Sequence, residues 1–195
     1  MANLFFVTQG QAYNIESIPH NGYIWAPRYS QRADNPEVPY PPKFYWENLT
    51  LVKKGDIIIH HAGSLNGGIA DISIAETDCY TANIPPELKN ISNANIPGVG
   101  TWIDEGWRVD CDYVHLKNRM PIEKFKSVIL KYRRNYPGAR SAFNKNGGVC
   151  QGYLYELEEM IGYHIIKSAV QLNPNIINLE FIVSTLKNIG RNEIL

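Results

Sequence analysis

The segment from Trp107 to Tyr113 constrains the chain most. Trp107, Val109, Cys111 and Tyr113 alternate with Arg108, Asp110 and Asp112. A period of two with one apolar side fits only a half-buried strand, because successive side chains of a strand point to opposite faces. The fold must therefore contain a sheet with one covered face. Other runs agree: Asn3 to Thr8 is aromatic and β-branched, Ile57-Ile58-Ile59-His60-His61 reads as a buried strand after the turn Val52–Asp56, and Ile69 to Glu76 follows Gly67-Gly68. Tyr23 to Pro27 and Gly152 to Leu157 are short extended pieces.

Helical spacing is confined to fewer places. Tyr13 to Ile18 predicts a short helix ended by Pro19, and Pro121 sits where a helix reaching about Lys131 would start. Ile161, Ile165, Ala169 and Leu172 recur at helical spacing, Asn173-Pro174 breaks that pattern, and Ile176 to Ile189 predicts a further helix. Arg28 to Lys43 holds Pro36, Pro39, Pro41 and Pro42 and reads as a long loop. No regular strand–helix alternation appears, so the expected class is α+β: a small curved sheet or β-barrel with flanking helices. The expected organisation is one domain over 1–172 with a helical appendage or linker over 173–195.

Composition narrows function mainly by exclusion. Hydrophobic residues make up 44% of the chain, enough for a core. No apolar run approaches the ~20 residues that span a bilayer, and the start has no signal-peptide pattern. Cys79, Cys111 and Cys150 are odd in number and widely spaced, which points to a reducing cytoplasm rather than a disulfide framework. None of the five histidines falls in a metal-binding spacing, and His60 and His61 face opposite sides of a strand. Phosphate-loop, nucleophile-elbow and dinucleotide fingerprints are absent. No metal, no cofactor and no catalytic residue is therefore expected. Asp110 or His60 near a cleft leaves a small hydrolase as an outside alternative.

Formal charge is zero, from 19 basic and 19 acidic residues, yet its distribution is uneven. Between Lys117 and Lys145 lie nine basic residues and one acid, Glu123. A solvated helix face explains Lys124 to Arg134 equally well, but the excess continues through the loop to Lys145, and local potential is what attracts a phosphate backbone. Aromatics are plentiful beside turns. Trp25 precedes Ala26-Pro27, Trp46 follows the proline loop, and Trp102 follows Gly98-Val99-Gly100. Rings at loop mouths either plug a small barrel or stack on a base, which is worth roughly 1–3 kcal/mol. Composition leaves both open for Trp25 and Trp102, whereas Trp107 belongs to the strand and the core.

An ordered set of segments resembles the PUA-like group that contains the EVE and YTH domains, readers of modified bases. The set comprises Asn3 to Thr8, Gly22 to Pro27, the turn Val52–Asp56, Gly68 to Glu76, Thr101-Trp102 and Gly106 to Asp110, spanning roughly residues 3 to 165. The resemblance implies that Trp25 and Trp102 sandwich a flipped base, with Trp46 as a possible third wall and Tyr23, Gln9, Tyr13 or Asn14 near its polar edge. It implies phosphate contacts from Arg140 and Lys145, with Arg133, Arg134, Ser141, Asn144 and Asn146 around them. Phe143 to Gly148 and then Gln151-Gly152-Tyr153 depart from YTH domains. They resemble readers of modification-dependent restriction systems, in which the partner is an HNH nuclease or McrB-type motor. The implied target is DNA carrying 5-substituted cytosine or N6-methyladenine, with an RNA-binding relative as the alternative.

Overall fold

The computed structural model describes residues 2–18, 21–31, 39–40, 43–63, 67–92, 101–102, 104–136 and 140–190. The alternating segment lies inside a strand much longer than its pattern, β9, Glu105–Met120. Its partners explain the length. One edge of β9 holds β2 (Gly22–Pro27), and the other holds β6 (Gly68–Ala75) and then β7 (Tyr80–Asn83). The sheet continues from β6 through β5 (Ile57–Ala62) and β1 (Leu4–Thr8) to β10 (Leu154–Glu156). All these pairings are antiparallel except β1 with β5, which are parallel. A second small sheet joins β4 (Pro39–Tyr40), β3 (Ser30–Gln31) and β8 (Thr101–Trp102). The expected loop over Arg28 to Lys43 thus contributes two short strands, while its residues 32–38 and 41–42 lie outside the described part.

The sheet is buried on both faces at its centre, which is why β1 and β5 read as unbroken apolar runs. Phe5 and Val7 of β1, Ile58 of β5, Ile24 and Ala26 of β2, and Val109, Cys111 and Tyr113 of β9 point inward. Trp46 and Leu49 plug that interior from α2 (Phe44–Glu47) and the 3₁₀ turn after it. Leu4, Phe6, Ile57, Ile59 and Ile72 point outward, beneath α4 (Lys126–Tyr132), α5 (Glu159–Leu172) and α6 (Glu180–Gly190). Two further helices are α1 (Tyr13–Glu16) and α3 (Pro86–Ser92). Ile176, Ile182 and Ile189 are buried in this outer core, so residues after Asn173 pack against α5 within it. The result is an α+β fold, a curled half-barrel with helices on its convex side.

The curl brings β2 round toward the far end of β1. Thr8 N–H donates to the carbonyl of Tyr153, and Trp25 N–H donates to the hydroxyl of the same tyrosine. One residue therefore bridges the two margins of the open barrel. The gap beside it is where side chains of β2, β8, α1 and α2 converge.

Candidate functional site: an aromatic cavity at the mouth of the half-barrel

A cavity of about 280 Å³ opens in that gap, close to the ~300 Å³ lower end of small-molecule sites. Its apolar wall is Trp25, Trp46, Trp102, Tyr45 and Leu88, and its polar lining includes Gln9, Gln11, Glu16 and Tyr153. The structure thus brings together Trp25, Trp102, Trp46 and Gln9 among the residues singled out from sequence. Trp25 is 2% exposed and held firmly. Its indole Nε1–H donates to the Ala82 carbonyl at 3.3 Å, and its ring lies on Gly106, where an added Cβ would come within 2.3 Å of Cζ2. Trp102 is only partly buried.

The two rings meet at a centroid distance of 5.9 Å and a tilt of 44°. A base between two parallel rings needs roughly 7 Å, twice the ~3.5 Å contact distance of carbon atoms. The pair is therefore closed against itself here, and a slot forms only if one ring turns. Trp25 is anchored at both ends, whereas Trp102, on a two-residue strand, is only partly buried and is the less constrained ring.

Glu16 forms the polar floor, and no local pattern marks it. It is wholly buried. Its Oε1 accepts from Tyr153 Oη–H at 2.6 Å and Trp25 N–H at 3.0 Å, and its Oε2 accepts from Gln9 Nε2 at 2.8 Å. Burial pushes the carboxyl up to about 7, against the pull of those three donors. Gln9 in turn donates to the Tyr113 hydroxyl at 3.0 Å, and its Oε1 lies 2.8 Å from His60 Nδ1. His60 Nε2 lies 2.7 Å from Ser73 Oγ. A donating Nδ1–H and a receiving Nε2 satisfy both contacts, so the neutral tautomer fits, and burial holds His60 down to about 3. Gln9 lies on the cavity wall as expected, but both its amide hydrogens are already spent on Glu16 and Tyr113. Its amide orients the floor and keeps one carbonyl lone pair.

The remaining expected base contacts lie elsewhere. Tyr23 is buried beneath the Arg108 guanidinium, 4.2 Å from the ring centre. Tyr13 projects from α1 toward Ala62 and Ala70, and Asn14 is exposed on that short helix. Tyr45, Leu88, Gln11 and Tyr153 line the cavity and were not foreseen, because only the curl of the sheet gathers them.

The expected phosphate residues divide. Arg140 is exposed over the Phe44 ring of α2 at 4.4 Å, in a neighbouring groove that it shares with Cys150 and Gln151; of that segment only Gly152 and Tyr153 line the aromatic cavity. Lys145 and Asn146 are exposed on a tight turn in which Asn144 Oδ1 accepts the amides of Asn146 and Gly148. Ser141, by contrast, is buried and bonded to Glu158. Arg134 pairs with Glu156 at 3.2 Å, and Arg133 donates to Asn135 and the Arg134 carbonyl. Among the described residues no cluster of three metal-ligating side chains occurs, and no helix is long and apolar enough to cross a membrane. Asp110, a candidate hydrolytic acid, is bonded to Arg108 and Tyr80.

No family model and no curated protein matches the chain. Solved structures do. A Pseudomonas putida protein aligns over 85% of this chain and 99% of its own, at 12% identity and a TM-score of 0.49. A hypothetical protein from Leishmania major aligns over 88% and 96%, at 10% identity and 0.48. Human THYN1, in complex with DNA containing 5-methylcytosine, aligns over 67% and 77%, at 11% identity and 0.38.

Proposed function

We propose that the chain binds nucleic acid by taking one flipped-out base, carrying a modification, into the cavity lined by Trp25, Trp46 and Trp102. The observation that carries this is the cavity itself. A space of about 280 Å³, walled by three indoles and floored by a buried carboxyl, suits a flat heteroaromatic ring with a polar edge. Few other groups need both kinds of surface. Arg140, over Phe44 of the helix that also carries Tyr45 and Trp46, supplies charge for the backbone of a bound strand. DNA is the proposed target, with 5-substituted cytosine or N6-methyladenine as the base. The chain acts without catalysis, as the specificity module of a nuclease or motor. DNA containing 5-methylcytosine is also what human THYN1 holds, although the proposal rests on the cavity alone.

Binding of labelled duplexes, unmodified or carrying 5-methylcytosine, 5-hydroxymethylcytosine or N6-methyladenine, tests this directly. A buried methyl contributes on the order of 1 kcal/mol, so about a fivefold preference for one modified duplex is expected. Trp102→Ala should abolish it. Equal affinity for all four duplexes, or an unchanged preference in Trp102→Ala, would overturn the proposal.

A further inference from the structure

A second cluster of charged side chains lies beyond His60, where the buried network that begins at Glu16 reaches β6. Asp71 of β6 stands directly opposite His60 of β5 and His115 of β9. The register of β6 slips beside Asp71 on both edges, jumping from Asp71–His115 to Ile69–Met120 on the β9 side. Such bulges re-aim side chains next to functional sites. Here they leave Asp71 with no exposure while its partner imidazole is 43% exposed, with Nδ1 2.6 Å from Asp71 Oδ1. A fully buried carboxylate that holds the inner nitrogen of an exposed histidine fixes the ring and leaves Nε2 for a ligand.

The rest of β9 extends the cluster. Leu116 and Met120 are buried in the outer core. Asn118 is tied to α5: its amide donates to Asn173 Oδ1 at 2.8 Å, and its side chain donates to the Leu172 carbonyl at 2.8 Å. With the even positions turned to the helices, strand alternation places His115, Lys117 and Arg119 on the other face, all exposed. Alternate residues of a strand stand about 6.6 Å apart, so this is a spaced row rather than a knot of charge. The Arg119 guanidinium lies 5.4 Å from the centre of the Tyr13 ring. The groups facing His115 are thus Asp71 and His60 from the neighbouring strands, Tyr13 from α1, and Tyr113 and Arg119 from β9 itself. Burial raises the Asp71 carboxyl, while hydrogen bonds from Tyr13 and His115 and the nearby Arg119 guanidinium pull it back down. Lys117 and Arg119 together outweigh the single carboxylate of Asp71, so the row is net positive.

We infer that His115, Lys117 and Arg119 form a phosphodiester-binding row for the nucleic-acid strand, with Asp71 as its positioning residue. This goes beyond the base cavity, because phosphate contact here requires no flipped base. It accounts for the start of the basic run at Lys117, which the loop around Arg140 and Lys145 leaves unused.

Two variants and a spectroscopic titration test it. Lys117→Gln, which disturbs no ring stack, and Arg119→Gln should each weaken DNA binding about three- to tenfold, equally for modified and unmodified duplexes. Each should also lower the slope of log affinity against log salt by about 0.9. In NMR, a DNA oligonucleotide should shift the His115 ring signals. Unchanged affinity and salt slope in the Lys117→Gln, Arg119→Gln double variant would overturn the inference. So would inorganic phosphate shifting His115 where the oligonucleotide does not, since the site would then hold a free anion. Trp102→Ala separates the two proposals: it should erase the preference for modification and keep the salt slope.

Discussion

Replacing Glu16 with Gln gives a prediction with a defined sign and window. The carboxyl is raised from an ordinary 4.5 to about 7 by complete burial. The folded state therefore holds this proton more tightly than the unfolded chain does. Below pH 4.5 both states are protonated and nothing is lost. Between pH 4.5 and about 7 the unfolded chain ionises first, so stability falls, and above 7 the loss is complete. Each factor of ten in proton affinity is worth about 1.4 kcal/mol, so the full loss is roughly 3 kcal/mol, of which about 2–3 accrues between pH 5 and 8. His60 works in the opposite sense. Burial lowers it to about 3, so on acidification below 6.5 the unfolded chain gains a proton that the folded one refuses. That removes about 2 kcal/mol by pH 5. The two slopes nearly cancel in the native protein. Glu16→Gln removes one and exposes the other: its stability relative to wild type should be about 2–3 kcal/mol higher at pH 8 than at pH 5. Urea unfolding followed by tryptophan fluorescence at both pH values measures this double difference, from which the constant cost of the amide drops out. A double difference within about 0.5 kcal/mol of zero would refute the burial argument for Glu16.

Two further outcomes follow from the packing. Trp25→Ala removes an indole that is 2% exposed, so its thermal midpoint should fall by the equivalent of about 3–5 kcal/mol, whereas the partly buried Trp102 should cost well under half of that; similar losses would contradict the anchored and adaptable roles assigned here. Asn173→Ala breaks two hydrogen bonds that tie the end of α5 to Asn118 and a third to the Ala169 carbonyl within α5, at about 1 kcal/mol each, and should speed hydrogen exchange of the Asn118 amide; exchange as slow as in wild type would argue against that tie.

What the sequence disclosed depended on whether the signal was local. The alternation through Tyr113 is local, since each residue's face follows from its neighbour's, and β9 carries it. The helix ending at Leu172 is equally legible from its spacing. The parallel pairing of β1 with β5 is not, because an apolar run shows that a strand is buried and leaves its neighbour open. The cavity divides in the same way. Its tryptophans stand out by type and by the turns beside them. Glu16 sits in a four-residue helix with no distinguishing pattern, and its partner Tyr153 lies 137 positions away. Tyr13 and Ser141 show the converse: each has a suitable side chain, and folding turns one toward Ala70 and bonds the other to Glu158.

The position of Glu16 also bears on how a base would be admitted. A wholly buried carboxyl that binds Gln9, Tyr153 and the Trp25 amide ties β1, β10 and β2 together where the half-barrel stays open. Replacing that floor with apolar residues would let the interior seal, since indole and leucine side chains already surround it. A floor of hydrogen bonds fixed to the backbone resists such collapse, because each bond surrendered leaves a buried polar group unpaired, at about 1–3 kcal/mol. The floor is thereby held in place beside Trp102, the less buried wall. On the proposed function, that floor would define the depth and polar edge offered to a flat ring, and Trp102 would supply its second face.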